Sequence, residues 1–273
     1  MPELIGKSNL RPSIETILHA LMPHKVVVHL HAIEILAHLV KLNALEKIKK
    51  TVGNSVKWIY ASYYKPGADL ASAIFEELAK KPDSQVIFLE SHGIVIGGSN
   101  VEEITSTLQI LTLKLQAKPA QALTETLPSK RASDFLKRGY MPCSDKEVSL
   151  LASKEDMINR VLHDWALYPD HVVFLGAKPV TLDQDFKLSE LDQATVSEPP
   201  FIFAIGDGVY ESINVTAAQK SQLRCYYDVV ARQEPHEKLS TLNNQQISEL
   251  INWDAEKYRK SSNDKKDNTN ESN

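Results

Sequence analysis

Short β-branched runs and amphipathic helical stretches take turns through roughly the first 125 residues, an order that a layered α/β domain accommodates and few other architectures do. Ile14, Ile17, Leu18 and Leu21 recur at helical spacing after Pro12, with Ser13 placed as an N-cap, and Pro23 ends the run. Val26 to Ala32 is apolar and β-branched and reads as a strand. Ile33 to Lys41 and Asn43 to Val52 read as helices, the second with Lys47, Lys49 and Lys50 on a solvated face. Val56 to Tyr60 is the next strand, followed by a turn at Pro66-Gly67 and a helix from Asp69 to about Lys80. Gln85 to Leu89 is a further strand. It runs into Glu90-Ser91-His92-Gly93 and the apolar stretch to Gly98, which sets His92 at a strand end, and Val101 to about Leu123 then supports a long helix.

A Pro- and Ser-containing stretch, from Pro119 through Pro128 and Ser129 to Pro142, has the composition of a linker. Beyond it, Lys146 to Leu151 and Glu155 to Trp165 read as helices and His171 to Leu175 as a strand. Phe201 to Ile205 and Val209 to Ser212 flank Gly206-Asp207-Gly208 as a hairpin would, and Ala217 to Arg232 and Asn244 to Arg259 are helical in pattern. The last dozen residues are polar and low in complexity, as disordered tails are. No internal repeat is visible in the residues.

With 273 residues, 42% of them hydrophobic and 24% charged, the chain can bury one large core or two modest ones. A net charge of -4 and the lack of interleaved basic and aromatic residues argue against nucleic acid as a partner. The longest apolar stretch, Val26 to Val40, is broken by His29, His31, Glu34 and His38, which argues against a membrane span, and the first residues lack a secretory apolar region. Cys143 and Cys225 are far apart, outside any Cys-x-x-Cys spacing, and fit a reducing cytoplasm.

On a strand, His29 and His31 point to the same face, about 7 Å apart. That suits two ligands of one metal ion. It also suits two histidines at the mouth of a buried strand, each satisfied by a backbone carbonyl. Glu15 stands in the first turn of its helix with His19 four residues on, where an acid is favoured by the helix dipole whether or not it does chemistry.

Four stretches taken together resemble the class II aldolase/adducin family: Arg11-Pro12-Ser13-Ile14-Glu15-Thr16 with Leu18-His19, His29-Leu30-His31-Ala32, Tyr64-Lys65-Pro66-Gly67, and His92-Gly93 with Val95 to Gly98. Later stretches, Tyr168 to Phe174 and Asn252 to Tyr258, resemble the C-terminal extension of longer members. The resemblance implies a zinc triad at His29, His31 and His92, with another divalent ion as an option, a catalytic carboxylate at Glu15, and a remnant of the family's phosphate cradle in Ser13 as a substrate-binding residue. Three imidazoles with an open position form a catalytic rather than a structural zinc site.

The implied activity is lysis of a carbon–carbon bond in a small hydroxy-ketone or sugar phosphate through a metal-stabilised enediolate, in a cytoplasmic homo-oligomer. Decarboxylation, epimerisation or dehydration at the same metal, or an adducin-like binding role, are the alternatives. The expected layout is a class II aldolase-type α/β domain over residues 1–125, with a central sheet flanked by helices and lacking the family's usual N-terminal portion. A smaller mixed α+β domain over 126–262 and a disordered tail over 263–273 complete it.

Overall fold

The computed structural model describes residues 13–119, 131–186, 198–251 and Trp253. The expectations for the Arg11-Pro12 segment, the helix end at 120–123, the linker over 120–130, the stretch from 254 to 259 and the tail fall outside these residues. The chain divides into two compact units, residues 1–117 and 118–273. No helix among the described residues is long and apolar enough to cross a membrane.

The first unit runs α1 (Thr16–Ala20), β1 (Val26–Leu30), α2 (Ile33–Leu39), α3 (Ala44–Val52), β2 (Trp58–Ala61), α4 (Ala68–Lys80), β3 (Val86–Leu89), β4 (Gly93–Gly98) and α5 (Val101–Lys114). Its sheet has the order β1-β4-β3-β2, antiparallel at the first two pairings and parallel at the third. Every residue of β3 is buried because both faces of the sheet are covered. Val86 and Phe88 alternate onto one face with Ile35 and Leu39 of α2, Ile48 of α3 and Leu111 of α5. Ile87 and Leu89 reach the other, against Leu18 of α1 and Leu70 and Ile74 of α4. The continuous apolar runs in the sequence are the direct result.

Several boundaries differ from the reading of the sequence, among them two helix ends. Helix α1 begins at Thr16, after a turn in which the Thr16 N–H donates to the Ser13 carbonyl at 3.0 Å, so Ser13 stands ahead of the cap position held by Glu15. Helix α5 stops at Lys114, with Leu115 as its C-cap.

The second unit runs α6 (Ala132–Leu136), β5 (Tyr140–Pro142), α7 (Lys146–Ser153), α8 (Glu155–His163), α9 (Pro169–Leu175), β6 (Thr181–Leu182), β7 (Phe201–Ala204), β8 (Gly208–Ser212), α10 (Ala217–Val230) and α11 (Asn244–Ile251). Part of the expected linker is therefore structured: α6 and β5 lie inside it. The hairpin at Gly206-Asp207-Gly208 forms as read, with Phe203 opposite Val209 and Ala204 opposite Gly208. The expected strand at His171 to Leu175 is instead helix α9. Pro169 occupies its first turn, where the missing N–H costs nothing, and so complete is the burial of its apolar run that no period distinguishes helix from strand. The second sheet has the order β5-β8-β7-β6, again antiparallel, antiparallel and parallel.

His171 of α9 is fully buried, with the rings of Trp165, Tyr226 and Tyr168 around it at centroid distances of 4.3, 4.7 and 5.5 Å. Neither ring nitrogen has a hydrogen-bond partner among the described residues. Burial pushes its pKa down to about 3. The unfolded chain titrates near 6.5, so between the two values the unfolded state takes up a proton that the folded state refuses. Stability is full above about pH 6.5 and falls as pH drops through the window, by about 2 kcal/mol at pH 5. Urea midpoints measured at pH 7 and pH 5 should show this loss for the second unit, and His171→Phe should shrink it.

Candidate metal centre

The site is assembled at one end of the first sheet, where β1 finishes, β3 turns into β4, and α1 begins. Alternation along β1 continues through Leu30 and presents His29 and His31 to one side. The β3–β4 turn brings His92 to the same place. The three imidazoles meet edge to ring at centroid distances of 4.9, 5.0 and 5.2 Å. Glu15, the N-cap of α1, completes the group: its Oε1 lies 3.2 Å from His92 Nε2 and 3.4 Å from His29 Nε2. One ligand atom from each of the four lies within 4.8 Å of the others.

Hydrogen bonding fixes what these atoms present. His29 Nδ1 lies 3.2 Å from the Ile94 carbonyl, and a carbonyl only accepts, so Nδ1 carries the proton. In the neutral ring Nε2 then turns a lone pair inward, toward His31 Nε2 at 3.1 Å. Lone pairs and a carboxylate oxygen at such distances repel unless a proton or a cation lies among them. The separations of 3.1–3.4 Å are also close to the roughly 3.3 Å edge of a tetrahedron with metal–nitrogen bonds of about 2.0–2.1 Å. Spacing and donor type both fit a divalent ion. The Glu15 carboxyl is drawn two ways. Burial pushes it up, but the His29 and His92 rings beside it outweigh burial and hold it below the usual carboxylate range. Its side chain remains 20% exposed, open to a small molecule.

Two backbone features bring His92 in. Gly93 follows it, and a Cβ there would lie 2.6 Å from the Leu30 carbonyl, 2.9 Å from His31 Cδ2 and 3.3 Å from His29 Cε1. Only glycine lets the strand approach the histidine pair this closely. Ser91 precedes it with a left-handed φ of 48°, buried, its N–H donating to the Leu39 carbonyl at the end of α2. A non-glycine residue held this way at a turn is a local cost that the surroundings impose.

All four residues singled out for metal or proton chemistry are brought together. Ser13, singled out for substrate, stands beside them in sequence, with its Oγ accepting the Glu15 N–H at 3.3 Å. The other histidines of this unit go elsewhere: His38 Nε2 meets the Leu115 carbonyl at 3.0 Å, and the His24 ring lies against Gly97. The Ile94 carbonyl and the Ser91 backbone escape sequence reasoning, since neither depends on a side chain that a motif could record.

If the turn positions His92, Ser91→Gly should keep zinc affinity, while Gly93→Ala should weaken it by about 10–100-fold, the range for losing an orienting contact around a metal ligand. Competition with a chromogenic chelator measures both. Equal affinities in the two variants would show that the close approach does not matter.

Residues 2–114 match the family described as Class II Aldolase and Adducin N-terminal domain. A curated relative from Bacillus subtilis (strain 168), named as the uncharacterized oxidoreductase YuxG, is 29% identical over 150 residues, which are 55% of this chain. The match spans only 21% of that relative's length. A crystal structure of an aldolase II superfamily protein from Pseudomonas syringae aligns at 23% identity over 37% of this chain and 42% of its own, with a TM-score of 0.29. With its four stretches in register and its histidines and glutamate gathered at one sheet end, the first part of this chain, residues 2–114, belongs to the class II aldolase and adducin N-terminal domain family.

Proposed function

We propose that the first unit is the catalytic unit of a zinc-dependent lyase that cleaves a carbon–carbon bond in a small hydroxy-ketone or sugar phosphate. The observation that carries the reading is the convergence of His29, His31, His92 and Glu15 on one point. A binding module of the adducin kind has no need of such a set. His29, His31 and His92 would hold the ion, and an ion held by three imidazoles supplies Lewis acidity to a carbonyl oxygen at its open position.

Glu15 moves the proton. Its carboxylate touches the imidazole cluster and is reachable from outside, which is the placement a general base needs. The Ser13 hydroxyl takes the Glu15 N–H, fixing the turn from which the carboxylate projects, and its exposure leaves it able to meet a polar group of the substrate. The name of the Bacillus subtilis relative describes a protein of which this chain covers about a fifth, and no redox role is carried over from it.

Glu15→Gln should retain zinc and fold while losing about 10²–10⁴-fold in turnover, since the amide is nearly isosteric but accepts no proton. Mass analysis of products over a panel of sugar phosphates and hydroxy-ketones identifies the reaction. Two carbonyl fragments are expected. Release of carbon dioxide, loss of water, or an isomer of unchanged mass would replace the lyase with a decarboxylase, a dehydratase or an epimerase. Full turnover in Glu15→Gln would remove Glu15 from the chemistry.

A further inference from the structure

We infer that the second unit is a second copy of the first unit's fold, in which the four metal-site positions have been replaced, so that the chain carries one metal centre on a duplicated scaffold. The part of this inference that concerns metal rests on the reading of the Glu15 cluster given above. The two sheets share strand order, 1-4-3-2 in chain sequence, and share the direction of every pairing. A short helix of five residues precedes the first strand of each (α1 and α6), and a helix of fourteen follows the last (α5 and α10).

The agreement extends to single hydrogen bonds. In the first hairpin the N–H groups of Glu90, Ser91 and His92 donate to the carbonyls of Ala61, Leu39 and Leu89. In the second, those of Ile205, Gly206 and Asp207 donate to Leu182, Ala152 and Ala204. These acceptors lie at the end of the parallel neighbour, in the helix after the first strand, and at the end of the hairpin's own first strand in both cases. Three residues separate the paired strands in each hairpin. The middle one is left-handed in both, Ser91 at φ 48° and Gly206 at φ 76°, and a glycine, Gly93 or Gly208, opens the next strand.

This register sets Asp207 in the place of His92. Along the first strands, His29 pairs with Val95, two residues beyond Gly93, and Pro142 with Tyr210, two beyond Gly208, so Pro142 replaces His29. Ser144 then replaces His31, and each is followed by the N-cap of the next helix, Asp145 or Ala32. Arg131, the N-cap of α6, replaces Glu15, the N-cap of α1. Even the preceding Pro-Ser recurs, at Pro128-Ser129 as at Pro12-Ser13.

The replacements remove the metal chemistry one position at a time. Proline offers no ligand atom. A guanidinium stands where the carboxylate was and repels a cation. It lies instead 3.9 Å over the Phe186 ring and donates to the Phe186 carbonyl at 3.1 Å. The one remaining carboxylate, Asp207, accepts the Tyr210 hydroxyl at 2.5 Å. What is kept, the turn and its glycine, is what the fold needs.

Cobalt titration of the full chain, read by its visible absorption, tests the metal half. Wild type should take up one ion per chain, and the variant Arg131→Glu/Pro142→His/Ser144→His/Asp207→His should take up two. One ion only in a folded quadruple variant, or two in wild type, would overturn the inference. Backbone NOEs in the metal-free chain test the duplication without any ion. Contacts from Met141 to Glu211 and from Leu182 to Ala204 support it, and any other strand order overturns it even if the quadruple variant fails to fold. Wild type that binds no ion would defeat the reading of the Glu15 cluster, while the NOEs would still decide the duplication.

Discussion

The approach of β4 to the end of β1 is the constraint on which the first unit depends. Where Gly93 passes Leu30, the missing Cβ closes the gap between strands and places three imidazoles around one point. The same pairing sets the Ile94 carbonyl against His29 Nδ1, so sheet register dictates which nitrogen faces inward. A slip of one residue would turn His29 to the opposite face of the sheet. The chemistry is thus a by-product of strand pairing, and the buried apolar faces that fix the pairing fix the site.

Gathering a carboxylate and three imidazoles in a half-buried place is costly by itself. Desolvation works against the charge on Glu15, and the imidazoles more than offset it, so the ionised form persists at the mouth of the cluster. Nothing apolar could replace this group without abolishing its use. That distinguishes it from His171 in the other unit, whose aromatic surroundings hold it neutral and give it neither ligand nor proton acceptor among the described residues.

Much of this was legible in the residues. Alternation made His29 and His31 neighbours, and a strand end followed by Gly placed His92 nearby; the family resemblance joined Glu15 to them. The hairpin at Gly206 to Gly208 declared itself through its glycines. Other parts stayed hidden for physical reasons. Val172 and Val173 have strand character, yet Pro169 opens a helix there because tertiary burial overrides a weak local preference. β6 is two residues long and leaves no period to read. The likeness of the two units was invisible because backbone hydrogen bonds and handedness are what they share, while the side chains at the matching positions, His92 and Asp207 or His29 and Pro142, have nothing in common.

The ion pair between buried Glu211 and exposed Lys220 acquires a meaning from that likeness. Glu211, three residues beyond Gly208, is buried and receives Lys220 Nζ at 2.8 Å, and Lys220 is the fourth residue of α10. The matching residues three beyond Gly93 and fourth in α5 are Ile96 and Ile104, which share one apolar cluster. Two sheets of one topology on one chain invite strand exchange during refolding, the characteristic hazard of repeated domains. With β8 docked in the first sheet, Glu211 would be buried against Ile104 with no cation, an error costing about 3–5 kcal/mol. Charge in one copy and hydrocarbon in the other would thus act as a lock and a foreign key against docking β8 in the first sheet.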